Sequence, residues 1–279
     1  MRGRCGDAGI QNSGPRTQNL APITHHLSPI WDTMRPRNIL LATALIAVLW
    51  QLAAMLVNNM VLPGPGAAVA ALVRELPRGL GYHFLVSGYR LTLSMIIATL
   101  LATPLGLIIG QSPRLNALVS PLLYLIYPVP KIVFLPIIML FLGTGDVSKV
   151  FIIALILFFQ ILVVVRDACI AVRPEMVQSV RSLGAGRLDL LRYVYLPACL
   201  PSVLTALRVS TGTAIAVLFL AETFATQSGL AYYITVDAWG RMDYPEMYAG
   251  VIAMAVLGLG TYILLDRLER RMCEWVFVR

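Results

Sequence analysis

Charge is what this sequence has least of. Only 13% of its 279 residues are Asp, Glu, Lys or Arg, against about a quarter in an ordinary soluble domain. That scarcity excludes a soluble globule with a solvated surface. Histidine is scarcer still, with three in the chain. His25 and His26 are adjacent, so they do not share a helix face as a metal pair would, and His83 is alone, which fits a polar anchor at a membrane boundary. There is no H-E-x-x-H and no phosphate loop; Gly143 to Lys149, GTGDVSK, has the wrong spacing. Cys5, Cys169, Cys199 and Cys273 show neither metal-ligand nor redox spacing and read as reduced, small apolar residues. No metal, cofactor or catalytic constellation is expected, and the chain is read as a non-enzyme. The net charge of +8 comes without a basic face and stacking aromatics, which excludes a nucleic-acid reader.

In place of charge there are long apolar runs. Residues 39–57, 91–113 and 247–265 contain no charged side chain, and each has about the length a helix needs to cross a bilayer. The economical reading is an all-α membrane protein of about six spans: Ile39–Val57, Phe84–Gly110, Ala117–Leu142, Val150–Ile170, Val203–Phe224 and Met247–Leu265. Residues 1–37 are rich in Gly, Pro and Arg and lack the apolar core of a signal peptide. They read as an unstructured tail ahead of a membrane-spanning body at 38–279, with Met34 as an alternative start. Pro104 interrupts the second span, and Pro121, Pro128, Pro130 and Pro136 the third. Backbone groups freed by proline must find partners, so the third span is expected to face the protein interior.

Basic residues set the orientation. One alternate set of connecting segments, with both termini, holds fifteen Lys and Arg; the other holds Arg74, Arg78, Lys149 and Arg241. The richer side is expected to be cytoplasmic. On the poorer side, LPGPGAAVAALVREL predicts a short amphipathic helix with Val69, Leu72, Val73 and Leu76 on one face, lying on the membrane surface. Within the spans, Arg90 is expected to snorkel outward, and Glu222 to pair with a neighbouring helix. Lys131, a cation in the proline-broken span, is either a backbone-bound or neutral lysine or a residue of a transport path.

The segment Gln178 to Pro197, QSVRSLGAGRLDLLRYVYLP, interrupts this apolar chain with four charges and two glycines. Glu175 favours a helix start, Gly184 and Gly186 break that helix, and a second short helix, Leu188 to Tyr195, is expected to stop ahead of Pro197. Two readings fit: an amphipathic loop on the lipid headgroups, or a projecting cytoplasmic knuckle spanning Arg173–Pro197.

The spacing Gly184, nine residues, Val194, one residue, Leu196-Pro197 resembles the EAA loop of binding-protein-dependent ABC importer permeases. Gln178, Ser179 and Val180 stand where that pattern has Glu-Ala-Ala, while Arg181, Gly184 and Ala185 return to it. LPGPGAAVAAL, Tyr127 to Lys149 and Ala221 to Ile234 resemble the nitrate, sulfonate and taurine branch, so the likeness runs from about residue 39 to 275. It implies a type I, MetI-like permease fold and import of a small polar, mostly anionic solute. It also implies a permease homodimer, two cytoplasmic ATP-binding subunits and an extracytoplasmic solute-binding protein. Gln178, Ser179, Val180, Arg181, Gly184, Ala185, Leu196 and Pro197 would form the coupling contact with the ATPase, and Lys131 and Glu222 would lie on the path. The alternative is a secondary transporter, which calls for an inverted repeat and intramembrane acids; no repeat is visible and Glu222 alone qualifies.

Overall fold

A computed structural model describes residues 36–277. The expected tail, residues 1–37, lies outside the described residues up to position 35, and Pro36 and Arg37 already belong to a helix. The chain divides into two units, residues 1–52 and 53–279. What is described of the first is most of α1, Pro36–Val57, an apolar helix of 22 residues.

The second unit is helical throughout its described residues. It comprises α2 (Pro65–Glu75), α3 (Gly81–Gln111), α4 (Pro113–Ile126), α5 (Leu135–Leu142) and α6 (Asp146–Ile170). There follow α7 (Pro174–Ser182), α8 (Arg187–Leu190), α9 (Leu196–Thr223), α10 (Leu230–Tyr232), α11 (Tyr244–Met272) and α12 (Glu274–Phe277). Five helical stretches are long and apolar enough to cross a membrane, and α4 with α5 makes a sixth, bent by 76°. The count is thus five, or six with the bent pair taken as one span, in line with the expected number of about six.

The core forms where α3 lies along α6 and α9 packs against both. Ser87, Ser94, Ala98, Ala102 and Gly106 recur every four or seven residues on the buried face of α3, so the backbones approach closely. A Cβ on Gly106 would stand 2.9 Å from that of Val165, and one on Gly110 2.6 Å from that of Cys169. This Gly-x-x-x-Gly pair works as small residues do between membrane helices, where packing and not water drives association. Adding a methyl at such a site overpacks it, at a cost of about 1–3 kcal/mol.

Two expectations need correction, on the third span and on the helix ahead of Pro197. Helix α2 forms as expected, with Val69, Val73 and Leu76 exposed and Ala68 and Ala71 buried. The small face packs on α11, because only alanine lets two helices meet that closely. The third span buries only Leu123, Leu135 and Met139 in this chain, so its prolines do not turn it toward the chain's own interior. The helix ahead of Pro197 does not stop. It runs from Arg187 to Thr223, 37 residues, through a widened turn at Leu191–Tyr195. That turn closes with the Leu196 N–H donating to the Leu191 carbonyl, and the register shift accommodates a ring that has no N–H to give.

Candidate functional site

The knuckle begins at the end of α6, where Cys169 is buried and Arg173 is exposed. Pro174 sets the first helical position of α7, and Glu175 faces the positive end of its dipole. After Ser182 the chain reverses. The Leu183 N–H donates to the Val180 carbonyl and the Gly184 N–H to that of Arg181, with Gly184 at φ +89°. This left-handed helix ending costs other residues about 1–2 kcal/mol. Asp189 Oδ2 then accepts the Gly186 N–H at 2.9 Å and starts the next helix. Leu190 and Val194, one turn apart, are both buried and anchor that helix in the core.

The three marks of the segment thus have separate causes. Gly184 is needed for its backbone angle, Val194 for its burial, and Pro197 sits where a widened turn can take it. Close approach to Gly184 within this chain is absent: a Cβ there meets nothing within 4 Å. Gln178, Ser179 and Arg181 are exposed on α7, Val180 and Ala185 half-buried, Leu196 exposed and Pro197 half-buried. The outer face is unexpectedly apolar, since Leu183 is 86% exposed and Leu188 79%.

Lys131 sits at the bend of the third span. Pro130 lacks the N–H that would have closed on the Ile126 carbonyl, which instead accepts the Val129 N–H at 3.2 Å and a second bond from Lys131 Nζ. It lies 3.0, 3.2 and 3.3 Å from the carbonyls of Ile126, Tyr127 and Val129. It also stands 4.8 Å from the centre of the Phe159 ring, close enough for cation–π attraction. Of the alternatives for Lys131, the backbone-bound lysine is the arrangement present.

Glu222 and Arg90 are together. Arg90 does not snorkel: it is 2% exposed. Its Nη1 lies 2.8 Å from Glu222 Oε1 and 2.8 Å from the Ser228 carbonyl, and its Nη2 2.6 Å from Asp146 Oδ1. Ser87 Oγ stands 2.8 Å from both Glu222 oxygens and accepts the Leu230 N–H. The Ala231 N–H completes the carboxylate's set at 3.2 Å. Gly229, at φ +114°, passes so near that a Cβ would run into the Glu222 carboxylate. A second cluster ties α9 to α11: Arg208 Nη1 lies 2.7 Å from Asp266 and 3.1 Å from Glu269, and Thr205 donates to Glu269 at 2.8 Å. Asp146, Ser87 and Ser228 escaped the sequence reading, because nothing local marks residues 56 and 138 positions from Arg90, or a serine 135 positions from Glu222, as partners. The Gly106–Gly110 spacing did carry a readable signal.

Among the described residues no cluster of His, Cys, Asp and Glu could hold a metal ion.

Residues 102–273 match the family described as binding-protein-dependent transport system inner membrane component. The chain is 28% identical to the taurine transport system permease of Escherichia coli K12 over 88% of its own length and 93% of that protein's. It is 31% identical to a putative aliphatic sulfonates transport permease of Bacillus subtilis 168, over 85% and 86%. The fold is similar to the MetNI methionine ABC transporter in an inward-facing form, with a TM-score of 0.56 at 17% identity, covering 69% of this chain and 95% of that one. It is likewise similar to a bacterial alginate ABC transporter in complex with an alginate-bound periplasmic protein, with a TM-score of 0.57 at 17% identity and coverages of 88% and 98%. With a family model matching well over half of its length, this multi-pass chain belongs to the inner membrane components of binding-protein-dependent transport systems.

Proposed function

We infer that the chain is the permease of an importer for a small anionic solute of the sulfonate class, working as a homodimer with two cytoplasmic ATPase subunits and an extracytoplasmic binding protein. The two relatives above are named for taurine and aliphatic sulfonates, and the MetNI and alginate structures are of ABC transporters.

One observation carries the mechanism: the Arg173–Pro197 knuckle is held in the core at both ends yet offers exposed Leu183 and Leu188 at its turn. An ATPase gripping those leucines moves α6 and α9 as rigid rods, with no nucleotide chemistry in this chain. Gln178, Ser179, Val180, Arg181, Gly184, Ala185, Leu196 and Pro197 form this coupling element in our reading. The knuckle and both termini lie in the cytoplasm. Arg114, Arg181 and Arg187 meeting at one end of the bundle supports that orientation. The exposed third span is the face for the second copy. A recess of about 930 Å³ along it, bounded by Tyr124, Tyr127, Pro128 and Arg166, supports a path on this face, with Lys131 on it in our reading. Glu222, sealed by Arg90 and Ser87, belongs to the frame around that path.

The test is uptake of labelled taurine into proteoliposomes holding permease, ATPase and binding protein. Wild type is expected to import it with ATP. Gly184→Asp, strained at φ +89°, is expected to lose roughly 80–97% of uptake, the 1–2 kcal/mol of a non-glycine left-handed residue applied to coupling, at equal membrane yield. Normal uptake and ATP turnover in Gly184→Asp would remove the knuckle from coupling.

A further inference from the structure

A recess of about 840 Å³ opens where the end of α3 and the start of α4 meet the knuckle. Arg114, Arg181 and Arg187 line it together with Gln111, Ile108 and Leu188. Among the described residues no carboxylate pairs with any of the three arginines, although Arg208, Arg270 and Arg90 elsewhere are all paired. Gln111 Nε2 is buried and has no hydrogen-bond partner, so the wall presents an unused donor. The N-terminus of α4, capped by Ser112, adds the positive end of a 14-residue helix dipole.

Every polar feature here asks for an anion. The rest of the wall is apolar, and it adjoins the ends of two membrane-spanning helices, where bilayer meets water. A small free anion would use the arginines and leave Ile108 and Leu188 bare. A phospholipid uses both, with its phosphate on the arginines and its glycerol and upper acyl carbons on the leucine side. Basic recesses between spans on the cytoplasmic side are suited to anionic headgroups.

We propose that this recess is a binding site for the headgroup of an anionic phospholipid, held by Arg114, Arg181, Arg187 and the Gln111 amide. Arg181 and Arg187 flank Gly184 on either side, so an occupied site fastens the turn of the knuckle to the α3–α4 connection. The proposal rests on the transport reading only for which leaflet the recess meets; a chain that binds lipid here but imports nothing would lose that reading and keep the site.

The experiment is native mass spectrometry of the full chain, purified in detergent and offered phosphatidylglycerol, phosphatidylcholine or inorganic phosphate. Phosphatidylglycerol is expected to stay bound where phosphatidylcholine does not. Each of Arg114→Gln, Arg181→Gln and Arg187→Gln is expected to weaken it about fivefold, the usual worth of one arginine at a charged membrane surface. All three side chains are exposed, so folding is not at stake. Gln111→Leu is expected to weaken it with no change in charge. Arg173→Gln, an exposed arginine of the same knuckle outside the recess, is expected to leave it unchanged. An equal loss in Arg173→Gln would reduce the effect to diffuse charge and overturn the site. Complete displacement by inorganic phosphate would assign the recess to a free anion, and equal retention of the two lipids would abolish it.

Discussion

The two ion clusters of the helical body sit fourteen residues apart along α9, at Glu222 and at Arg208, and they are built differently. Around Glu222 the charges are dry: Arg90 is 2% exposed and Glu222 fully buried. They hold a turn as well as helices, since Ser228, Leu230 and Ala231 donate to or accept from the cluster through backbone groups. Around Arg208, at 15% exposure, the partners are side chains on one neighbouring helix, and the arginine also lies over the Tyr262 ring. One cluster is the scaffold of a loop; the other is a rivet between two rods. A buried pair is expensive to assemble and more expensive to break by halves, so the first should be intolerant where the second is forgiving.

The strongest way to break this contrast is Arg90→Met. It leaves Glu222 buried and charged without a cation, and should cost about 3–5 kcal/mol, read as lost thermal stability of the purified chain in detergent. Adding Glu222→Leu should recover most of that loss, because a buried pair replaced by apolar groups is close to neutral; Asp146, half exposed, can take water instead. No recovery in the double variant would show that the turn needs the carboxylate itself. Arg208→Met should cost less, about 1.5–3 kcal/mol, the range for hydrogen bonds to charged groups, because Asp266 keeps Arg270 at 3.1 Å and Glu269 keeps the Thr205 hydroxyl at 2.8 Å. Equal losses at Arg90 and Arg208 would erase the distinction.

Lys131 sharpens the comparison from the other side, as a cation held by carbonyls and no acid. Lys131→Gln keeps one donor for those carbonyls and should change stability by about 1 kcal/mol or less. Uptake of an anionic solute should nevertheless fall, and Lys131→Glu, which reverses the local field, should fall further. Equal uptake in all three proteins, at equal complex yield, would make Lys131 a cap for the bend and nothing more.

Much of the architecture was legible in the sequence, because spans are written in lengths of uncharged residues and bends in proline. The knuckle was legible through Gly184, whose angle no other residue adopts cheaply. What escaped was which face of a helix meets another. On α2 the valine face was read and the alanine face was not, although close packing between membrane helices selects small residues. Arg90 was misread for a related reason. Snorkelling is judged from the distance to a helix end, whereas its acids arrive from α6 and α9, 56 and 132 residues away. The continuous passage through Pro197 escaped because a widened turn leaves no composition mark.

That passage gives the molecule a dimension worth working through. A rod of 37 residues from Arg187 to Thr223 measures about 55 Å at 1.5 Å per residue, nearly twice the roughly 30 Å of hydrocarbon it crosses. Pivoting by about five degrees around its middle would swing each tip by about 2.4 Å. One tip carries the turn that holds Leu188, and the other ends beside the Glu222 carboxylate, so a displacement the width of a hydrogen bond at the first is felt as one at the second.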